Sequence, residues 1–406
     1  MEKRQAISTS VQEQFEQQVS FLQRLVQANS ANPFTPEVSS ATAPIEAEVA
    51  AVIHEELRRL GFTAHLIGAS AQRQNVICHF QGSGRGERSL IVTTHMDTVE
   101  PTGYADDPWN GKREQGRLYG VGSADAKAQI AAFIYAVSAL QLAGIKPDGN
   151  VILAFVVDEE LGACSPFGTQ YLLDQGLLYG DAALVGEPGE DKISIAHRGL
   201  YRFRLRIQGE ATHTGLRAWE QGRQGRNAIL DMVRIAQALS EHPLPQTHST
   251  AFPRRKSVFT FPTLIRGGSG INIVPDFCEA YGDVRLLPGL SADVVKRTIQ
   301  EHLTALSIED YRLDDLIVVP AAETNAQAEI VRTLAKSIEA ITGTPPRLEG
   351  SGPACDGWMF ITRGIPTVCG YGVTCGGVHG ADEWIDLKSL RRVTEIYAHT
   401  IMSYLS

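Results

Sequence analysis

The fold of this 406-residue chain is indicated most directly by SLIVTTHMDTV, residues 89–99, an apolar run that ends in a histidine and an acid. Similar apolar runs occur on both sides, and they alternate with segments whose apolar residues recur at helical spacing. The runs are NVICHF, NVILAFVVDEE and AALVGEP, and the helical segments include AEVAAVIHEELRRLG and AQIAAFIYAVSALQLAG. This alternation predicts an α/β domain with a largely buried sheet, whose chemistry should lie at the strand ends.

The pattern changes near residue 200. YRFRLRI, residues 201–207, places apolar side chains on one face and arginines on the other, as in a half-exposed strand. A helix, two strands, a helix and a strand follow, in the β-α-β-β-α-β order of a two-layer, ferredoxin-like α+β domain. After about residue 320 the chain returns to the helical segments and short apolar runs of the first pattern. We therefore expect a catalytic domain with a mixed sheet, formed by residues 1–197 and 321–406 and interrupted by an inserted lid at 198–320.

Composition limits the class of partner. A net charge of -9 and a pI near 5.7 argue against nucleic acid or an anionic membrane as partner. No apolar run approaches the roughly 20 residues of a membrane span, and the N-terminal segment has no apolar signal core. The six cysteines are scattered without a CxxC pair, which fits reduced thiols. We expect a water-soluble, cytoplasmic protein that acts on a small molecule. Its six cysteines are expected to be structural, and a secondary role is the alternative for Cys164 and Cys355, which lie close in sequence to the candidate site residues named below.

The loop GVGSAD, residues 120–125, has two glycines spaced as in a dinucleotide-binding turn. A Rossmann fingerprint needs a third glycine where this chain has Asp125, and a carboxylate would repel a pyrophosphate. The glycines instead let the backbone pass close to other groups. We therefore expect Gly120 and Gly122 to hold Asp125 in a fixed place.

Acids and imidazoles gather at the predicted strand ends. They are His95, Asp97, Asp125, Asp158, Glu159, Glu160, Glu187 and, in GGVHGADEW, His379. Burying such a cluster without compensation is unfavourable by several kcal/mol per ion. Two histidines and three carboxylates suffice for two metal ions if one carboxylate bridges them, about 3.5–4 Å apart. Mixed nitrogen and oxygen ligands suit zinc, with cobalt or manganese as substitutes.

Each motif taken alone also has a structural interpretation. A histidine at a strand end is often a hydrogen-bonded structural group, and Asp97 then fits a carboxylate that orients the ring of His95. A DEE run is usually a solvated loop. It is the joint occurrence of the motifs in an orderly series that favours a metal centre.

The series HMDTV, GVGSADAK, DEELG, VGEP, HTG, GINIVPD and HGADEW resembles the acetylornithine deacetylase, succinyl-diaminopimelate desuccinylase and aminoacylase family of dinuclear zinc hydrolases, which includes carboxypeptidase G-type enzymes. The resemblance covers nearly the whole chain, including the lid. Motif by motif, it implies that Asp125 bridges two metal ions. His95 and Glu187 would complete one site, and Glu160 and His379 the other.

The resemblance also implies the catalytic roles. Asp97 would orient His95, and Glu159 would be the general base that takes a proton from the metal-bridging water and passes it to the leaving amine. In the lid, His213 of EATHTG would reach a neighbouring active site across a dimer and donate to the oxyanion; an exposed lid histidine is the alternative. Asn272 of GINIVPD and Arg285 of GDVRLLP would hold substrate. A surface charge remains the alternative for Arg285.

Some positions depart from the family pattern. Ala126 and Ala128 stand where methionine and glycine are common, His197 where the family more often has lysine or a small residue, and Asp356 lies in a loop that corresponds only loosely. These departures bear on the substrate pocket rather than on the metal ligands.

The expected function is metal-dependent hydrolysis of the amide bond of an N-acyl amino acid by a homodimer formed through the lid. A di- or tripeptidase or carboxypeptidase of the same family is the first alternative. A catalytically silent metabolite-binding protein on the same fold is the second.

Overall fold

The computed structural model describes residues 2–32, 45–160, 162, 165–241 and 244–406. The chain divides into two compact units, which we call unit 1 (Met1–Ala196 with Glu323–Ser406) and unit 2 (His197–Ala322). Cys164 lies outside the described residues. The described cysteines are all free, at positions 78, 278, 355, 369 and 375.

Both units contain helices and strands. In chain order the described helices are α1 (Glu2–Gln27), α2 (Ala47–Arg59), α3 (Ala128–Leu142), α4 (Thr169–Asp174), α5 (Arg217–Glu220), α6 (Ala228–Glu241), α7 (Ala292–Ala305), α8 (Glu329–Thr342), α9 (Gly357–Ile361) and α10 (Leu387–Tyr404), with a π-helical turn at Ser123–Lys127. The described strands are β1 (Ala64–Ile67), β2 (Asn75–Phe80), β3 (Ser89–His95), β4 (Arg113–Glu114), β5 (Arg117–Tyr119), β6 (Asn150–Val156), β7 (Ala182–Gly186), β8 (Lys192–His197), β9 (Gly199–Gln208), β10 (Val258–Gly267), β11 (Phe277–Leu286), β12 (Tyr311–Val319), β13 (Ala322–Glu323), β14 (Arg347–Ser351), β15 (Thr367–Tyr371), β16 (Cys375–Gly376) and β17 (Trp384–Asp386). None of the helices in the described part of the chain is both long and apolar enough to cross a bilayer.

Unit 1 is built on a mixed sheet with the strand order β1-β2-β6-β3-β7-β15-β8-β13, and β14 pairs with β8. The strands β6, β3, β7 and β15 are parallel neighbours, and β1 and β2 run antiparallel at one side. β3 and β7 are buried along their whole length, as expected for a sheet covered on both faces. The predicted α/β fold class is confirmed.

Helices cover the sheet of unit 1. Residues 128–140 of α3 are all buried, since α3 lies between the sheet and the helices α1 and α10. α1 buries Val19, Leu22, Leu25 and Val26, the stripe that predicted a helix here. On the sheet, Ile91, Ile152 and Val185 pack with residues of α4 and α9.

Unit 2 has the predicted β-α-β-β-α-β order, with α6 and α7 against an antiparallel sheet of order β10-β11-β9-β12. Tyr201, Phe203, Leu205 and Ile207 of β9 are buried against these helices. The alternate residues of β9 carry arginines that are only partly buried, so the other face of this sheet is charged. A short α5 and the loop that precedes it are additions that the sequence pattern did not predict.

Candidate metal centre

The parallel strands of unit 1 bring their carboxyl ends to one edge. His95 ends β3 and pairs in register with Val156, the last residue of β6. Thr93 of β3 pairs with Val185 of β7, and Gly186 pairs with Tyr371 of β15. The residues that follow these strands, Asp158–Glu160 and Glu187, therefore emerge beside His95.

The first group of potential ligands consists of His95, Asp125 and Glu187. The imidazole Nε2 of His95 lies 3.0 Å from Oδ1 of Asp125. One ligand atom from each of the three residues lies within 4.8 Å of the others. The His95 side chain is almost wholly buried, so this group is on the inner side of the centre.

The second group consists of Asp125, Glu160 and His379. The Nε2 atom of His379 lies 3.1 Å from Oδ2 of Asp125 and 3.3 Å from Oε1 of Glu160. These ligand atoms again lie within 4.8 Å of one another. Because the His379 side chain is 50% exposed, this group is open to solvent. The two oxygens of Asp125 face different imidazoles, so Asp125 is shared between the groups.

Asp125 is held by an irregular loop that requires glycine. Gly122 has a positive φ of 75°, and a Cβ there would lie 2.3 Å from the Cγ2 methyl of Thr98. Gly120 has a φ of 137°, and a Cβ there would lie 2.4 Å from Val26. Both glycines thus permit the close backbone approach that brings Asp125 to the centre.

A buried carboxylate, Glu383, fixes the same loop. Its Oε1 accepts hydrogen bonds from the backbone N–H groups of Ala124 at 2.7 Å and Asp125 at 3.0 Å. Its Oε2 accepts from the N–H of Gly122 at 3.1 Å. The N–H groups that a dinucleotide-binding turn would offer to phosphate are therefore occupied by a carboxylate. Sequence reasoning missed this residue, although it stands four positions after His379 in the quoted GGVHGADEW.

Asp97 connects His95 to the DEE turn. The Nδ1 atom of His95 lies 2.9 Å from the backbone oxygen of Asp97 and 3.5 Å from its Oδ1. The two carboxylate oxygens of Asp97 accept from the N–H groups of Glu159 at 3.1 Å and Glu160 at 3.0 Å. A single acid thus contacts both an expected ligand and the backbone of the expected base.

The carboxyl groups of the centre lie close together and are largely shielded from solvent. Burial raises the pKa of Glu159 and of Glu187 well above the ordinary range, and burial also raises the pKa of Glu160. Burial raises the pKa of Asp356, a neighbour of this cluster, to about 7. Burial thus disfavours the charged form of these carboxyl groups unless a cation lies beside them.

The pKa values of the imidazoles are raised as well, which for a histidine favours the charged form. Although burial lowers it, hydrogen bonds to Asp125 and Asp97 raise the pKa of His95 well above its ordinary value. Hydrogen bonds to Asp125 and Glu160 raise the pKa of His379 to about 11. Protons on these rings are the positive charge that balances the acids. Two divalent ions, bound by the two nitrogens and three carboxylates, would take over this role, so the donor set fits a dinuclear site.

The remaining expected residues of the lid lie in unit 2. His213 is exposed, and its Nε2 lies 3.1 Å from Nδ2 of Asn272. Its Nδ1 accepts a hydrogen bond from the N–H of Gly215 at 3.0 Å. Arg285 lies on β11, where its Nε is 2.8 Å from Oδ1 of Asp283. The structure thus brings His213 and Asn272 together and gives Arg285 an acidic partner.

The departures from the family pattern are buried positions. Ala126 and Ala128 are fully buried beside Asp125, where small side chains pack closely. His197 is also fully buried, and burial lowers its pKa to about 4, so the ring is neutral. Asp356 accepts a hydrogen bond from Oγ1 of Thr169 at 2.5 Å.

The sequence profile of peptidase family M20/M25/M40 matches residues 91–403 of this chain. Among curated proteins, the succinyl-diaminopimelate desuccinylase of Gluconacetobacter diazotrophicus is 28% identical over 383 residues, covering 88% of this chain and 92% of that protein. The enzyme of the same name from Methylorubrum extorquens is 30% identical over 333 residues, covering 78% of this chain and 82% of that protein.

Among solved structures, the aminopeptidase PepT of Bacillus cereus superposes with a TM-score of 0.77 at 22% identity, covering 97% of this chain and 99% of that one. At this identity the likeness concerns the fold alone. It extends over both units of the present chain.

Proposed function

The chain belongs to peptidase family M20/M25/M40, and from this premise we propose that it is a dinuclear metal-dependent hydrolase that cleaves the amide bond of an N-acyl amino acid. The observation that carries the proposal is the position of Asp125 between two imidazoles, each accompanied by one further carboxylate. The desuccinylase relatives support an N-acyl amino acid as substrate. Their name describes those proteins, and the acyl group for this chain is left to experiment.

We assign the ligands residue by residue. Asp125 would be shared by the two ions, His95 and Glu187 would complete the inner site, and Glu160 and His379 would complete the outer site. Zinc suits this donor set best, with cobalt or manganese as substitutes. Ions bound there would polarise the scissile carbonyl and lower the pKa of a water ligand.

Glu159 is the proposed general base. Its backbone is tied to Asp97 while its neighbour Glu160 serves as a ligand. A carboxylate of raised pKa is suited to accept a proton near neutral pH and to deliver it to the leaving amine. Asp97 keeps His95 and the DEE turn in place.

Unit 2 is the proposed lid and dimerisation domain, with the boundaries 198–320 expected from the sequence. The imidazole of His213 is suited to donate to an oxyanion. Asn272 beside it and Arg285 are suited to hold the substrate, and the guanidinium would bind the substrate's carboxylate. A homodimer and a cytoplasmic location complete the proposal, and they rest on the family resemblance and on composition.

The test is a substrate panel. The purified protein, stripped of metal and then reloaded with zinc, cobalt or manganese, is incubated with N-acetyl, N-succinyl and N-formyl amino acids and with dipeptides, and released primary amine is measured. We expect metal-dependent release from one class of N-acyl amino acids. Release from dipeptides alone would identify a di- or tripeptidase or carboxypeptidase, the first alternative. No release with two ions bound would favour a silent binding protein.

A further inference from the structure

A buried arginine lies behind the candidate metal centre. Arg73 stands just before β2, and its side chain is fully buried together with those of Glu46 and Asp158. Its Nη2 lies 2.6 Å from Oε1 of Glu46 and 3.0 Å from Oδ1 of Asp158. The guanidinium also lies 5.5 Å from the ring centre of Phe167. Burying a guanidinium is unfavourable in free energy unless acidic groups compensate its charge. Glu46 and Asp158 are the acids that do so for Arg73.

Arg73 acts on a residue of unusual conformation. Asp158 has a φ of 70°, in the left-handed region that side chains other than glycine seldom adopt. Its backbone N–H donates to Oε1 of Glu46 at 3.2 Å, the same oxygen that Arg73 contacts. Arg73 and Glu46 therefore hold Asp158 by its side chain and by its backbone. Asp158 in turn begins the turn that carries Glu159 and Glu160.

The same network reaches Asp97. The Nδ2 atom of Asn32 donates to Oδ1 of Asp158 at 3.1 Å and to Oδ2 of Asp97 at 2.9 Å. Asp97 accepts from the N–H groups of Glu159 and Glu160. The backbone of the DEE turn is thus held at three successive residues, and Arg73 is the cation of this network.

We propose that Arg73 is a positioning residue of the metal centre, which holds Asp158 in the left-handed conformation that directs Glu159 and Glu160 to their places. The inference rests on the proposed function for the roles of Glu159 and Glu160. It adds a residue 22 positions before His95 that carries no recognisable motif. Outer partners of metal sites typically change metal affinity or activity by about 10–100-fold when they are replaced.

The experiment compares Arg73→Met with the double variant Arg73→Met/Asp158→Gly. Cobalt titration of the metal-free proteins, followed by visible absorption, gives the affinity of each site without any substrate. We expect the single variant to bind the ion held by Glu160 and His379 about 10–100-fold more weakly. On a substrate found by the panel, kcat should fall by a similar factor while KM changes little. The double variant should recover part of both the cobalt affinity and kcat, because glycine adopts the left-handed conformation unaided and the substitution removes one of the two acids that Arg73 contacts.

Arg59→Met is the matched control, because Arg59 also pairs with a buried acid, Glu56, at 2.6 Å. It should lower thermal stability without changing the cobalt titration. Wild-type cobalt affinity in Arg73→Met, or a loss that Asp158→Gly does not relieve, would overturn the proposal. If Arg73→Met does not fold, Arg73→Gln and Arg73→Gln/Asp158→Gly replace the pair, and wild-type cobalt affinity in Arg73→Gln overturns the proposal. A wild-type chain that binds fewer than two cobalt ions would instead contradict the proposed function.

Discussion

Acidic side chains have different partners at the metal centre of unit 1 and on the charged sheet face of unit 2. On the sheet face, Asp283 contacts two arginines and Asp314 contacts three, at distances of 2.5 to 3.2 Å. At the metal centre, the carboxylates of Asp125 and Glu160 contact histidines instead. The acids of unit 2 are matched by cations of the chain itself.

The difference appears in the pKa values. Burial raises the pKa of Glu159, Glu160 and Glu187. Asp125 is an exception at the metal centre, because its burial is outweighed by hydrogen bonds with His379 and His95, which lower its pKa. For Asp314, burial is outweighed by hydrogen bonds from Arg312, Arg206 and Arg204, which lower its pKa. An acid that is paired with an arginine needs no further compensation of its charge. A cluster of buried acids without such partners is stabilised when an external cation binds to it. The acids of unit 2 that are paired with arginines therefore stabilise the fold, whereas the buried acids of the metal centre are suited to metal binding and catalysis.

The largest expected effect is that of Glu159→Ala. We expect turnover to fall by about 10²–10⁴-fold, as for loss of a general base, while both metal ions stay bound. Metal content by mass spectrometry and kcat on the identified substrate check the two parts separately. Near-normal turnover would remove Glu159 from the mechanism.

Glu160→Ala should affect metal binding as well as activity. We expect the purified variant to hold about one ion fewer than the wild type. Added zinc should raise its melting temperature less, because an ion at 1,000 times its Kd stabilises the folded state by about 4 kcal/mol. Unchanged metal content would mean that Glu160 is not a ligand.

Glu383→Gln tests the loop of Asp125 with a smaller change. The carboxylate accepts three backbone N–H groups, and an amide can accept through one oxygen only. We expect a loss of about 1–3 kcal/mol in the free energy of unfolding by urea, together with weaker metal binding. Glu56→Gln, at another buried acid, should lower stability while metal affinity stays at the wild-type value. Equal metal affinities in the two variants would limit Glu383 to a role in stability.

Long elements and strand ends could be predicted from the sequence because their causes are local. β3 and β7 are apolar runs that stop at a polar residue, and β9 alternates with period two. Short elements gave no such pattern: β16 and β17 pair with each other, and β17 also pairs with β5. β8 was missed because only one residue separates it from β9, so the two strands were not distinguished.

The supporting residues of the site could not be predicted for a related physical reason. Glu383 acts on backbone N–H groups, which carry no signature in a sequence. Arg73 pairs with Glu46 and Asp158, 27 and 85 positions away, and only the folded sheet brings them together. The ligands were identifiable because metal chemistry restricts which side chains can serve, whereas many side chains can support them.

The smallest expected effect is on the charged face of unit 2. Exposed ion pairs contribute roughly 0.2–1 kcal/mol each, so Asp314→Asn should lower the stability of the protein by about 1 kcal/mol near pH 7 and leave metal binding and turnover unchanged. Because the folded pKa of Asp314 lies below its unfolded value, this contribution is present above the unfolded pKa and is lost as the pH falls through the folded one. Urea unfolding of variant and wild type should therefore differ at pH 7 and converge as the carboxyl becomes protonated. A loss of bound metal or of turnover in Asp314→Asn would contradict this distinction between the two regions. It would mean that an acid paired with arginines in unit 2 also contributes to metal binding or catalysis.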